Sequence, residues 1–261
     1  SADYSQIELR LLAHLSKDPA LIEAFLQGED IHTTVAAQIA GVAADKVTKQ
    51  QRSAAKMVNF GIVYGITPFG LARRLGVSNT QASEIIDGYK RRFSGITTFL
   101  QECIDQAQRL GYVETMLGRR RAIPEIHSTI PARRSLAERT AINTVVQGSA
   151  ADLIKLAMVE IFRDLRRSAS STGAGGPKAA TKPKAPAPAI APPSGLRMLL
   201  QIHDELVFEC PREVGEQARA YVVHRMEHAA ETWTPPDGAG LNLRVPIRVD
   251  ASIAENWFDG K

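Results

Sequence analysis

Cysteine is nearly missing from this sequence, with only Cys103 and Cys210 among 261 residues. Two cysteines exclude a disulfide framework and a cysteine-built zinc site, and they fit a reducing, cytoplasmic setting. An apolar run long enough to span a bilayer is also missing, and no signal peptide is recognisable, so no membrane role is expected. Strong charge of either sign is lacking too. The formal net charge is +4, a mild lean toward polyanions that only local clustering strengthens. Arg119-Arg120-Arg121 and Arg133-Arg134 are such clusters, with a solvated loop face as the rival reading. There is no internal repeat. The sequence opens on Ser1-Ala2-Asp3, directly at a candidate catalytic residue, from which a longer parent protein is expected.

What is present is the composition of a globular chain, with 44% hydrophobic residues, enough for one sizeable core or two small ones. Ser5-Gln6-Ile7-Glu8 has capping-box spacing and is followed by apolar residues at helical period, so Asp3 precedes a helix and ends a strand. Further helices are expected from Asp18-Pro19 to near Gly28, from Asp30 to near Gly41, and from Thr48-x-x-Gln51 to about Tyr64, where Gly65 breaks the pattern. Helical patterning continues over Pro68–Leu75 and Thr80–Leu110, and a long helix over Ala132–Arg167. Gly118–Pro131 reads as a loop or short hairpin. Residues 168–195 are Ser, Gly, Ala, Pro and Lys with almost no large apolar side chain, which predicts a disordered insertion. Arg197–Ile202 and Glu205–Glu209 read as strands about a tight His203-Asp204 turn, Arg212–Glu231 as helical and Leu243–Ala251 as a final strand. The fold class is α+β, with helices dominating the middle.

Three segments carry candidate chemistry. Asp3 and Asp204 each place a carboxylate where a strand ends or turns. Hard oxygen ligands converging from separate elements are what Mg²⁺ ions need to align an attacking hydroxyl, a phosphate and its leaving group. The rival is a turn-forming Asp. Arg52, Lys56, Phe60 and Tyr64 are spaced by four, so they share one gently spiralling helix face. Cations toward its start suit a polyphosphate and aromatics further on suit a base or sugar, against an ordinary amphipathic helix. His32, one turn into its helix, is a phosphate donor or a locally satisfied histidine. Arg139, Asn143 and Gln147 present donors suited to the minor groove, or form a plain polar face.

Two further patterns compete. His224-Arg225-Met226-Glu227-His228 matches the H-x-x-E-H pattern of a zinc hydrolase class. Gly70 to Ser78, followed by a helix at Thr80, reads as a helix-turn-helix, which would make the chain a nucleic-acid-binding module.

Taken together these segments resemble the family A DNA polymerases, of the bacterial DNA polymerase I type. Asp3-Tyr4-Ser5-Gln6-Ile7-Glu8-Leu9-Arg10 is similar to motif A, Arg52-x3-Lys56-x3-Phe60-x3-Tyr64-Gly65 to motif B, and Gln201-Ile202-His203-Asp204-Glu205-Leu206 to motif C. Asp30-Ile31-His32, Arg139-x3-Asn143-x3-Gln147-Gly148 and Asn256-Trp257 resemble further segments of that family. The resemblance covers nearly the whole chain outside 168–195. It implies the C-terminal palm and fingers portion: a palm of antiparallel sheet and helices at 1–20 (motif A) and 136–261 (motif C), and helical fingers at 21–135. The thumb, early palm and exonuclease domain precede motif A in the family and have no counterpart here.

The resemblance also implies an activity: template-directed DNA synthesis from dNTPs with two Mg²⁺ ions, acting as a monomer on primer–template DNA, in the bacterial cytoplasm at the nucleoid. The alternative is a catalytically silent nucleic-acid-binding fragment. The implied metal ligands are Asp3, Asp204 and the Tyr4 carbonyl, with Glu205 as a supporting carboxylate. Glu8 would crowd the sugar 2′ position with Tyr64 as partner. Gln6 and Ile7 are placed beside the nucleotide. Arg52, Lys56 and His32 would grip the triphosphate, with Lys56 protonating the departing pyrophosphate. Phe60 would pack by the nucleotide and disfavour dideoxynucleotides. Arg139, Asn143, Gln147 and His203 would track the minor groove.

Overall fold

A computed structural model describes residues 1–171, 190–233 and 241–260. The chain divides into two compact units, residues Ser1–Ile7, Ala150–Asn242 and Ile247–Lys261 in the first, and Glu8–Ser149 with Leu243–Pro246 in the second. Among the described residues no helix is long and apolar enough to cross a membrane.

The first unit is built on a four-stranded sheet. Strands β1 (Ala2–Tyr4), β4 (Arg197–Ile202), β5 (Glu205–Glu209) and β6 (Val249–Ala251) lie in the order β4-β5-β1-β6, every pairing antiparallel. Ala2 and Tyr4 are buried and Asp3 between them is exposed, the alternation expected of a strand with one covered face. Helix α9 (Gly215–Glu227) packs on β1 and β6. Three successive residues at its end fasten it: Arg225 donates to the buried Asp164 from Nε at 2.8 Å, the Met226 carbonyl accepts from the Tyr4 hydroxyl at 2.9 Å, and Glu227 accepts from the Val249 amide at 3.2 Å.

The second unit is helical. It contains α1 (Ile7–Ser16) from Glu8 onward, α2 (Pro19–Leu26), α3 (Ile31–Ala40), α4 (Lys49–Val63), α5 (Pro68–Leu75), α6 (Asn79–Arg92), α7 (Ser94–Leu110) and the hairpin β2 (Tyr112–Glu114)/β3 (Arg120–Ala122). Helix α8 (Pro131–Ser171) is divided between the units at residues 149 and 150. Leu12, Leu21, Ile31, Val58, Leu71 and Val146 are among the fully buried residues of the second unit's core. Thr48 and Gln51 form a reciprocal capping box that starts α4, and Ser78 and Gln81 repeat it for α6.

Several expectations need correction. Thr80–Leu110 is two helices, broken at Phe93. Asp18 caps α2 with one carboxylate oxygen and accepts the Gly95 amide at 2.8 Å with the other, so a tertiary bond sets the break. The last strand is only Val249–Ala251. Pro246 has no N–H to give a ladder, and its carbonyl is taken at 2.8 Å by the Arg10 guanidinium, which holds 243–246 in the second unit. Helix α1 starts at Ile7 because Gln6 turns left-handed (φ 53), so the Ser5–Glu8 spacing does not start the helix. The stretch 212–231 is α9 flanked by 3-10 turns. Helix α8 runs to Ser171, past the expected start of the insertion at 168; of that expected segment, residues 172–189 lie outside the described residues. Helices α5 and α6 do pack about a short turn at left-handed Gly76, as a helix-turn-helix reading expects.

Candidate active site

Strand pairing brings the two outlying acidic segments together. In the β1–β5 ladder Asp3 stands opposite Glu205, and the Tyr4 amide donates to the Asp204 carbonyl at 3.2 Å. Asp204 sits in the hairpin turn after His203, whose φ of 56 is costly for a residue with a Cβ; the Gln201 amide caps that turn by donating to the His203 carbonyl. On the other side of β1, Asp3 is opposite Asp250 of β6. Residues directly opposite in a ladder share a face, so Glu205, Asp3 and Asp250 form an acidic row across three strands, with Asp204 at its edge.

Electrostatics record the crowding. Burial, and behind it the charges of Asp204, Glu205 and Asp250, push the Asp3 carboxyl up to about 6. Asp3 itself is exposed, so the like-charge crowding is a penalty a cation can reach and relieve. Glu205 is held differently: it is 8% exposed and accepts from the Trp257 indole at 2.8 Å, so the closing segment reaches the hairpin through Trp257. Among the described residues no group of three or more His, Cys, Asp or Glu side chains is gathered to hold a metal ion. A catalytic zinc takes three protein ligands, and among the described residues no third one is gathered beside the His224–His228 pair. The His224 and His228 rings lie 4.3 Å apart, but Glu227 is engaged with β6. Magnesium differs, since one or two carboxylates suffice when substrate phosphates and water complete the shell. The exposed Asp3 and the half-buried Asp204, two hard-oxygen carboxylates brought side by side by strand pairing, fit that ion.

The second unit assembles the cationic and aromatic set. On α4, Arg52 and Lys56 are exposed while Phe60 and Tyr64 are half-buried, and Ala55, Val58, Ile62 and Val63 face the core. Arg52 bonds Asp30, the residue capping α3. The Tyr64 hydroxyl donates to Glu8 and accepts from Gln147 Nε2 at 3.2 Å, which ties motif-like residues of α1, α4 and α8 into one chain. Gly65, in the left-handed region at φ +74, ends this segment, and a Cβ there would press to 3.3 Å on Arg139 Cγ. The Phe60 ring lies 5.9 Å from His32 and 6.2 Å from Tyr64. Burial pushes the His32 imidazole down to about 4; Asp30 pulls it up, and Arg52 and Lys56 press it further down. His32 therefore meets its surroundings as a neutral ring.

The remaining expected site residues are placed as follows. Arg139 and Gln147 are exposed and Asn143 half-buried on the second unit's part of α8, while His203 is exposed in the first unit. Ile7 is buried at 3% exposure, and Gln6 has a buried side-chain oxygen with no hydrogen-bond partner among the described residues. Two residues have a place here that sequence reasoning did not give them. Asp250 joins the acidic row, and its signal was an acidic residue inside the last β pattern. Asn59 bonds His32 through Nδ2 at 2.8 Å; a polar residue on the buried side of an amphipathic helix was the signal there.

The sequence matches the family described as DNA polymerase family A over residues 1–259. DNA polymerase I of Bacillus subtilis (strain 168) is 42% identical over 261 residues, covering all of this chain and 26% of that protein. The DNA polymerase I of Geobacillus stearothermophilus is 41% identical over 261 residues, again covering 26% of that protein. A solved structure, the POL domain of Pol1 from M. smegmatis in complex with DNA primer-template and dNTP, superposes with a TM-score of 0.76 at 37% identity. The match covers 95% of this chain and 38% of that one. The chain thus spans about a quarter of the length of the curated relatives it matches.

Proposed function

The chain belongs to DNA polymerase family A, a membership that implies dependence on divalent metal in general, and from it we propose that the chain carries the nucleotidyl-transfer chemistry of template-directed DNA synthesis. A primer 3′-hydroxyl gives up its proton to water as its oxygen attacks the α-phosphorus of a dNTP, the bond to the oxygen bridging to the β-phosphate breaks, and pyrophosphate leaves. Two Mg²⁺ ions, when bound, would supply activation of the attacking oxygen and neutralisation of the leaving group's charge. Asp3, Asp204 and the Tyr4 carbonyl are the groups that would hold them, and Glu205, bonded by the Trp257 indole, would stand by as a supporting carboxylate.

Side chains of α3 and α4 grip the nucleotide. Arg52, Lys56 and His32 bind the triphosphate, and Lys56 gives a proton to the departing pyrophosphate. Glu8, held by Tyr64, fills the space a ribose 2′-hydroxyl needs, with Gln6 and Ile7 beside the nucleotide and Phe60 against it. Arg139, Asn143, Gln147 and His203 follow the minor groove of primer–template DNA. In these terms residues 1–20 and 136–261 act as palm and 21–135 as fingers.

The observation that carries this reading is the β1–β5 ladder, which sets Asp3 against Glu205 and Tyr4 against Asp204 across some two hundred residues of sequence. The DNA primer-template and dNTP bound in the M. smegmatis structure support the choice of partners. The test is primer extension by the natural polypeptide that carries this sequence, with Asp204→Ala beside the parent. Extension should be abolished while primer–template binding is largely kept; normal extension by the variant refutes the ligand role. The same assay on the 261 residues alone separates a self-sufficient catalyst from a nucleic-acid-binding fragment.

A further inference from the structure

Asn59 stands on the buried side of α4 at 0% exposure, an expensive place for a primary amide. Its Nδ2 lies 2.8 Å from His32 Nδ1, across the α3–α4 contact, while its Oδ1 has no hydrogen-bond partner among the described residues. The amide orientation matters. Reversing it would hand Nδ1 an acceptor and leave both N–H groups of the amide without this partner, and buried orphan donors are rarer than orphan carbonyls. As it stands, an amide N–H points at Nδ1, so Nδ1 is the lone-pair nitrogen and the ring proton resides on Nε2.

We infer that Asn59 is a positioning residue that holds His32 in its Nε2–H tautomer, so that the nitrogen left for the phosphates of an incoming nucleotide is a hydrogen-bond donor. The inference rests on the triphosphate-gripping role proposed for His32. It explains why a residue without contact to the reacting atoms is polar in an otherwise apolar row. It also fits the charges around the ring. Asp30 faces His32 from the start of α3, and Arg52 and Lys56 face it from α4; with burial they keep the imidazole uncharged, its value pushed down to about 4. A neutral ring donates from one nitrogen only, so the tautomer decides whether it can serve a phosphate at all. Arg52 and Lys56 then supply the charge and His32 a directional bond that does not vary with pH in the neutral range.

The test has two readouts. Long-range ¹H–¹⁵N spectra of the chain labelled in histidine report the tautomer of His32 directly: Nε2–H is expected in the parent, a mixed population in Asn59→Leu, and a shift to Nδ1–H or to the doubly protonated ring in Asn59→Asp, which keeps the side-chain shape if Leu proves too disruptive. Steady-state extension by the natural polypeptide should then show the KM for dNTP rising about tenfold in Asn59→Leu, with kcat within about twofold, as for loss of one hydrogen bond to a charged group. Asn59→Asp should add a dependence of KM on pH between about 6 and 8 that the parent lacks. A parent ring in the Nδ1–H form, or a tautomer unmoved in both variants, overturns the inference. A tautomer that moves while KM stays put refutes the phosphate-facing half and, separately, the grip assigned to His32.

Discussion

Phe60 packs between the rings of His32 and Tyr64 and brings no polar atom of its own to the exposed face of α4. If it lies against the nucleotide sugar, a dideoxynucleotide finds nothing there to replace the hydroxyl it lacks. Phe60→Tyr adds a hydroxyl at that edge, and one hydrogen bond to the nucleotide is worth about a tenfold change or more. The ratio of dideoxy- to deoxynucleotide incorporation should rise by at least about that factor; an unchanged ratio displaces Phe60 from the sugar. His32 yields a second expectation, through linkage. Its ordinary value is 6.5 and the fold holds it near 4, so between those limits the unfolded chain binds a proton that the folded chain refuses. Stability contributed this way is complete above about pH 6.5 and is lost as pH falls toward 4, by an amount on the order of 3 kcal/mol. Urea midpoints of the parent minus those of His32→Gln should fall across that window, and a flat difference would mean the buried ring takes up its proton normally.

Helices announced themselves best where a local signal and the tertiary structure agree. Thr48 and Gln51 cap each other at the start of α4, Pro19 and Pro68 sit at first helical turns, and Gly41, Gly76 and Gly111 take the left-handed conformation that ends α3, α5 and α7. Thr48→Ala should therefore cost about 1 kcal/mol, read as a lower urea midpoint at constant slope. Where the elements went astray, a distant partner decided. Nothing near Phe93 in sequence says that Asp18 will take the Gly95 amide, and nothing near Leu243 says that Arg10 will take the Pro246 carbonyl. The α6–α7 break supplies a sharper test. A Cβ on Gly95 would sit 2.9 Å from Asp18 Cα and 3.0 Å from its carboxylate, all of it backbone or a side chain already fixed by capping α2. Gly95→Ala should lose about 1–3 kcal/mol by overpacking, although alanine is the better helix former; a neutral or stabilising result would show that the α2–α7 contact yields.

At the scale of the whole chain, the acidic residues were legible as a pair but not as a row. Asp3 and Asp204 stood out because each lies in a recognisable segment. Asp250 did not, because its place opposite Asp3 follows from the register of β6, which residue spacing cannot give. The arginine clusters pose the converse problem, being obvious in sequence and ambiguous in use. Net charge is only +4, so binding of a polyanion depends on where the cations stand and what they already hold. Arg120 is paired with Glu114 at 2.7 Å and lies over the Tyr112 ring, and Arg121 donates to Thr144, so both are partly committed within the second unit. Arg133 reaches Glu125 only at 4.0 Å with both side chains well exposed, a pairing of little worth in water, and Arg134 beside it is exposed. If these two meet phosphates, replacing both with alanine should weaken primer–template binding alike for every sequence and reduce the slope of log affinity against log salt by nearly two, about 0.9 per phosphate contact. Arg120→Ala should move that slope far less. Equal slopes for the parent and the double variant would return the Arg133-Arg134 cluster to the solvated-face reading.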